Sequence, residues 1–256
     1  MAYPINLDET IVTKEIVSDL YTLSCPFKQL GLLDIGARST IIKANFTDGP
    51  GTIVIAPLPY TESSEKVIGG LPVKYLVGPN IVHHMALKEW HDKFPESKVI
   101  GCEKLAAKKA SDDVAIEVIV KQNNVLLTPK DIGIDDIDDQ EDLKFILLTG
   151  HNNRELVTFH GRTKSLVVAD LAFNFPPIEQ YSLSPSTAFN NALYKIGLQK
   201  YLPRITRFLI KDDNQSKTAL KSIANLDFDI VIVCHGETIT ENGNQWFRAQ
   251  FGPLLD

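Results

Sequence analysis

Cysteine is scarce in this chain. Cys25, Cys102 and Cys234 are widely spaced and odd in number, with no Cys-x-x-Cys pair and no disulfide framework. That pattern points to a reducing compartment rather than a stapled secreted fold. Long apolar runs are missing as well: none approaches the ~18 residues of a membrane-spanning helix. The first fifteen residues carry Asp8, Glu9 and Glu15 and lack the apolar core of a signal sequence. A cytoplasmic location is expected, with a nuclear one compatible. Basic residues are outnumbered, 26 Lys and Arg against 32 Asp and Glu, for a net charge of −6. Nucleic-acid binding draws most of its affinity from phosphate neutralisation, so this balance argues against it. The expected partner is a small-molecule substrate, not nucleic acid or a membrane. No GxxxxGK phosphate loop, no GxGxxG run and no GxSxG serine elbow occurs.

What is present is ample core material: 256 residues, 44% hydrophobic and 23% charged. No repeat, low-complexity tract or linker divides the chain, so residues 1–256 are read as a single domain. Strands are predicted at 18–24, 40–46 and 52–56, with Asp48-Gly49-Pro50-Gly51 as a hairpin connection. After Pro57 and Pro59 the pattern becomes β/α. A helix is predicted at 62–70, a buried strand at 73–77, and a helix on which His84, Leu87, His91 and Phe94 recur at helical spacing until Pro95. A short strand at 99–100 and a helix at 103–109 follow.

The second half offers strands at 115–120, 144–148, 155–159 and 165–169. The acidic stretch 131–142, with seven carboxylates, lacks the Asp-x-Asp-x-Asp-Gly order of a calcium loop and reads as a solvated surface loop. Helices at 186–197, 203–211 and 215–224, a strand at 228–234 and a helix at 245–251 complete the chain. Two strand-rich halves, each closing with helices, suggest two sheets packed face to face with helices outside.

Three apolar runs deliver metal-competent side chains at or just past their C-terminal ends. Residues 73–77 lead through Gly78, Pro79 and Asn80 to His83 and His84, 166–169 ends at Asp170, and 230–234 ends at His235-Gly236. Imidazole and carboxylate are ligands for first-row metals, and a sheet edge is a rigid place to hold them. Each residue also has a plainer reading, as a core histidine, a cap or a turn residue. His83 and His84 lie about 100° apart on a helix, so both reach one ion only if His83 precedes the first full turn. His91 lies about 10 Å further along the axis and cannot join them. The alternation Val231, Val233, His235 places Cys234 on the opposite face, as a buried thiol.

With these segments the chain resembles the metallo-β-lactamase-like superfamily, an α+β fold built as a four-layer αββα sandwich with metals at one edge between the sheets. The superfamily's His-x-His-x-Asp-His motif falls on Pro79, Ile81, His83 and His84, so only the last histidine is kept and His83 stands at the aspartate position. Gly150-His151 and the run ending at Asp170 match the next histidine and the bridging aspartate, and His235-Gly236 matches the last histidine. Ala-Pro-x-Pro at 56–59, Pro-Asn-x-x-His-His at 79–84 and Ala-Asp-Leu-x-Phe-Asn at 169–174 are similar to an uncharacterised branch of that superfamily.

The resemblance implies one divalent ion, zinc or iron, held by His84, Asp170 and His235. His83 is then a possible fourth donor, and His151 a remnant of a lost first site that competes with His160 for the role. His83 and Asp170 are the catalytic candidates. Three functions follow from the resemblance: a hydrolase of a small ester, lactone, thioester or phosphoester; a one-iron oxygenase or redox protein on His84, His235 and Asp170; and a non-catalytic binding protein of the same fold. Substrate choice is expected to lie in 173–207.

Overall fold

The computed structural model describes residues 3–29, 33–111, 114–138, 140–184 and 201–255. A short helix α1 (Leu7–Thr10) precedes strands β1 (Val12–Val17), β2 (Leu20–Cys25), β3 (Lys28–Gln29), β4 (Leu33–Asp34), β5 (Ala37–Phe46) and β6 (Gly49–Ile55). From there β7 (Val73–Val77), β8 (Lys98–Cys102) and β9 (Val118–Val120) alternate with α2 (Glu62–Ile68), α3 (Leu87–Lys93) and α4 (Glu103–Lys109). The seven-stranded sheet has the order β1-β2-β5-β6-β7-β8-β9, and β3 pairs with β4 separately. Its first half is antiparallel and its second half parallel. That change coincides with the change from hairpin turns to helical crossovers, which parallel neighbours require.

The second sheet, β10 (Leu143–Leu148), β11 (Glu155–His160), β12 (Ser165–Val168) and β13 (Ile230–Val233), has four strands in chain order, with β12 and β13 parallel. Between them come α5 (Leu202–Phe208) and α6 (Asn214–Ala224), and α7 (Gly243–Leu255) follows β13. Side-chain alternation shows how the layers stack. Phe145 and Leu147 on β10, and Ile230 and Ile232 on β13, join the core shared with the seven-stranded sheet. Their neighbours Ile146, Leu148, Val231 and Val233 pack instead with Leu220 and Ile223 of α6 and Phe247 and Phe251 of α7. A strand buried on both faces reads as a continuous apolar run, which is why these strands were legible. On the other side α2 packs on β2 and β5, α3 on β7, and α4 on β8 and β9. The result is four layers, helices outside and two sheets within.

Helix ends follow local chemistry. Thr61 Oγ1 accepts from Ser64 N at 3.2 Å to start α2, and Gly69, at φ +65°, ends it. Asp213 caps α6 in the same way as Thr61 caps α2. Trp90, fully buried on α3, donates its Nε1–H to Leu58 O at 2.6 Å. No helix among the described residues is long and apolar enough to cross a membrane.

Several expectations are corrected. Strand β1 was not foreseen, because Thr13, Lys14 and Glu15 are exposed on the sheet edge and carry no apolar period. The strand predicted at 115–120 pairs only over Val118–Val120, and the one at 228–234 only over Ile230–Val233. The helix predicted from His84 begins at Leu87, with Ala86 as its N-cap residue. The helix expected at 186–197 lies outside the described residues.

Candidate metal centre

Three strands of the two sheets end close together, and the residues just past them carry the chemistry. After β7 the buried Asn80 turns the chain. Its Oδ1 accepts from the backbone N–H of Val82 and of His83, both at 2.9 Å. A side chain that captures two backbone donors competes with helix formation, and this one delays α3 to Leu87. The turn also aims the His83 ring, placing Nδ1 3.1 Å from Asn80 Oδ1 and 3.3 Å from Asp170 Oδ2.

Asp170 lies two residues beyond β12 and is 7% exposed. The carboxylate of Glu155, at the start of β11, fixes its backbone: Oε1 accepts from Ala169 N at 2.5 Å and Asp170 N at 3.1 Å. Asp170 Oδ2 accepts from Asn80 Nδ2 at 2.9 Å and Asn153 Nδ2 at 2.8 Å. Its Oδ1 stands 3.4 Å from His235 Nε2.

His235 lies two residues beyond β13. Its Nδ1 is 2.7 Å from the carbonyl of Gly36, just ahead of β5. Buried Arg38 on β5 braces the same segment, donating from Nη1 to Val233 O and Gly236 O, each at 2.6 Å. Gln180 closes it from the other side, with Nε2 donating to Cys234 O at 2.8 Å and Oε1 accepting from Gly236 N at 2.9 Å.

These partners decide the tautomers. A carbonyl only accepts, so His235 carries its proton on Nδ1. His83 Nδ1 faces two oxygen acceptors and is protonated for the same reason. Both Nε2 atoms then present lone pairs, and they lie 3.1 Å apart. Two lone pairs at that separation repel unless a proton or a cation lies between them. One donor atom each from His83, Asp170 and His235 lie within 4.8 Å of one another. Ligands about 2.0–2.1 Å from a common ion, at octahedral to tetrahedral angles, are separated by roughly 2.8–3.4 Å. The 3.1 and 3.4 Å spacings fall in that range, so the residues fit a divalent ion.

The electrostatics favour positive charge among these groups, as a proton or as a cation. Burial would push the Asp170 carboxyl up, but His83 and His235 hold it well below the usual carboxylate range. Burial would lower His83, and the Asp170 carboxylate outweighs it, so the imidazole is raised. Glu155, fully buried, is raised by that burial against the opposing pull of His151.

No protein-family model and no curated protein matches the chain by sequence. Solved structures do match. A metallo-β-lactamase from Pontibacter korlensis superposes with a TM-score of 0.56 at 12% identity, over 93% of this chain and 96% of that one. Another from Hirschia baltica gives 0.57 at 9%, over 93% and 97%. A flavo di-iron protein from Thermotoga maritima gives 0.64 at 12%, over 95% of this chain but 61% of that one. The fold is that of the metallo-β-lactamases. At these identities the likeness concerns fold alone.

On this metallo-β-lactamase fold the candidate residues separate. His83, Asp170 and His235 come together, whereas His84, the histidine that the motif would keep, stands outside that group. His84 lines the same cavity, but the Asn80 turn sends His83, not its neighbour, toward Asp170. His151 is 1% exposed and also lies outside the group. It bridges to Ile210 of the helix-side core, its Nδ1 accepts from Asn153 N at 3.2 Å, and its Nε2 has no hydrogen-bond partner among the described residues. His160 sits at the far end of β11, held by Thr163 at 2.8 Å and Asp142 at 3.1 Å. Cys234 is buried and free, and burial pushes its thiol well up.

Asn80, Asn153, Glu155 and Gly36 were missed by sequence reasoning. Glu155 left one signal: a carboxylate opening an otherwise buried strand is costly without partners.

Proposed function

We propose that this protein is a metal-dependent hydrolase of a small neutral ester, lactone or thioester, using one divalent ion held by His83, Asp170 and His235. The pair of Nε2 lone pairs 3.1 Å apart, with Asp170 Oδ1 3.4 Å from one of them, carries this reading. A bound ion supplies Lewis acidity, to activate water near neutral pH and to polarise an acyl oxygen. The chain supplies the rest. Gly36 and Asn80 orient the two imidazoles through Nδ1, the usual way a protein fixes a ligating histidine. Asp170 contributes the negative charge.

The group opens into a cavity of about 250 Å³ whose walls include Tyr3, Phe27, Ile35, Leu58, Val82 and Met85. Such walls suit an apolar acyl or alkyl group. Arg38 also lines the cavity, but its guanidinium is engaged with Ser24, Glu179, Val233 and Gly236. No lysine lines it among the described residues. With no Lys or Arg among the described lining residues free to meet a phosphate beside the ion, a neutral substrate is favoured over a phosphoester.

A second reading has its own support. Two histidines and one carboxylate are also the donor set of mononuclear iron oxygenases, and a flavo di-iron protein shares the fold. Elemental analysis of protein purified without added metal, followed by a panel of neutral aryl esters, lactones and thioesters, tests both. Zinc with acyl hydrolysis supports the hydrolase. Iron with no hydrolysis moves the assignment to the redox reading, and no affinity for either ion overturns both in favour of a non-catalytic binding protein.

A further inference from the structure

We propose that the side-chain amides of Asn80 and Asn153 stand in for a second cation at Asp170 and close the site to more than one ion. This rests on the one-ion reading above and concerns the face of Asp170 turned away from His235.

The two carboxylate oxygens of Asp170 have different surroundings. Oδ1 faces His235 Nε2 at 3.4 Å. Oδ2 is met by Asn153 Nδ2 at 2.8 Å, Asn80 Nδ2 at 2.9 Å and His83 Nδ1 at 3.3 Å. A carboxylate oxygen offers about two lone-pair sites, and the two amides fill them. An ion approaching Oδ2 would have to displace an N–H donor from a buried acceptor.

The orientation of Asn80 is fixed by its own partners. Its Oδ1 receives two backbone N–H groups, so its NH₂ must face the carboxylates. One N–H goes to Glu155 Oε2 at 2.8 Å and the other to Asp170 Oδ2 at 2.9 Å. Asn80 thus lies between two buried carboxylates, Glu155 and Asp170, where a cation would otherwise be the natural occupant. A neutral amide satisfies both without bringing charge. Asn153 is locked from behind: its backbone N–H donates to His151 Nδ1 at 3.2 Å and its carbonyl accepts from Ile81 N at 3.1 Å. Its side chain is half-buried on the cavity wall, so it can be changed without opening the core. Both asparagines are positioning residues in this scheme. They hold Asp170 so that Oδ1, the oxygen without an amide donor, faces His235 Nε2.

The test is metal stoichiometry. Metal-free wild type, Asn153→Asp and Asn153→His are loaded with excess Co²⁺ or Zn²⁺, passed through gel filtration and analysed for ions per chain, with circular dichroism as the check on folding. Each substitution removes the Asn153 amide donor from Oδ2 and puts an acceptor in its place. The expected result is one ion on wild type and two on Asn153→Asp. Manganese-loaded Asn153→Asp should then show the spin coupling of a paired site. If the aspartate variant fails to fold because like charges meet, the neutral histidine variant decides. Two tightly held ions on wild type, or one ion on every folded variant, overturns the proposal. A wild type that binds no ion removes the metal reading itself and is thereby told apart from failure of the amide cap alone.

Discussion

Substituting His83 and His84 in turn separates the geometry of the centre from its sequence motif. His83→Ala removes an imidazole whose Nε2 is 3.1 Å from that of His235, whereas His84→Ala removes one outside the three-residue group. Four-donor zinc sites hold their ion by about 10–16 kcal/mol near pH 7. One donor in four is then worth about 2.5–4 kcal/mol, or roughly 10²–10³-fold in affinity at 1.4 kcal/mol per tenfold. The His83 side chain is 18% exposed, so its loss should leave the sheets intact. Chelator competition with Zn²⁺ at fixed pH should show that drop for His83→Ala and a change of only a few-fold for His84→Ala. Because His84 lines the cavity, its effect is expected in KM rather than in ion affinity. If His84→Ala loses as much affinity as His83→Ala, or more, the assignment of His83 is wrong.

Asp170→Ala and His235→Ala should each abolish stoichiometric ion binding while leaving far-ultraviolet circular dichroism near wild type, since both residues lie beyond the ends of β12 and β13. Wild-type metal content in either variant would place the ion elsewhere. Gly36→Ala should lower stability by about 1–2 kcal/mol from left-handed backbone strain alone; Gly36 sits at φ +69°, and an added Cβ would lie 2.0 Å from Gln180 Oε1. The same variant should bind zinc more weakly, because the Gly36 carbonyl orients His235; undiminished affinity would refute that role. Glu179 contributes to the pH dependence of stability. Burial would raise it, but Arg38, Lys14 and Ser24 outweigh burial and hold it below its ordinary value. A carboxylate lowered on folding stabilises the protein above its unfolded pKa, about 4.3, and that contribution is lost as pH falls through the folded value. Glu179→Gln should therefore flatten the acid limb of the melting-temperature curve below about pH 5, and an unchanged acid slope would count against the network.

Elements with a strong apolar period were legible. Val73–Val77 and Glu103–Lys109 fall on the predicted residues, and β10 to β12 within one residue at each end, because burial on a sheet face or helix stripe writes itself into the local sequence. The failures are equally specific. Strand β1 forms on pairing with β2, a register that local sequence does not announce. The alternation of Val231 and Val233 does not carry through to His235. The strand stops at Val233, and Gly236, at φ +101°, lies so close to Asn174 that a Cβ would meet its carbonyl at 2.2 Å. The chain therefore bends, and the imidazole reaches Gly36 rather than the helix-side core that holds Val231 and Val233.

The three metal-competent side chains all follow strand ends, where backbone N–H and C=O groups leave the ladder and need new partners. Here those partners are side chains: Asn80 for Val82 and His83, Glu155 for Ala169 and Asp170, Arg38 for Val233 and Gly236, and Gln180 for Cys234 and Gly236. Each is buried, so each bond is enforced by the penalty for leaving it unmade. Their sequence separations reach 198 residues, as between Arg38 and Gly236, and no local pattern can reveal a pair so distant. The same bonds that close the strand ends also fix the ring orientations, so the two Nε2 lone pairs cannot relax apart by rotating freely. In the proposed one-ion reading, that constraint is what favours a cation at the centre. The repulsion between His83 and His235 is maintained by hydrogen bonds on the opposite sides of both rings, and a shared positive charge is the means left to relieve it.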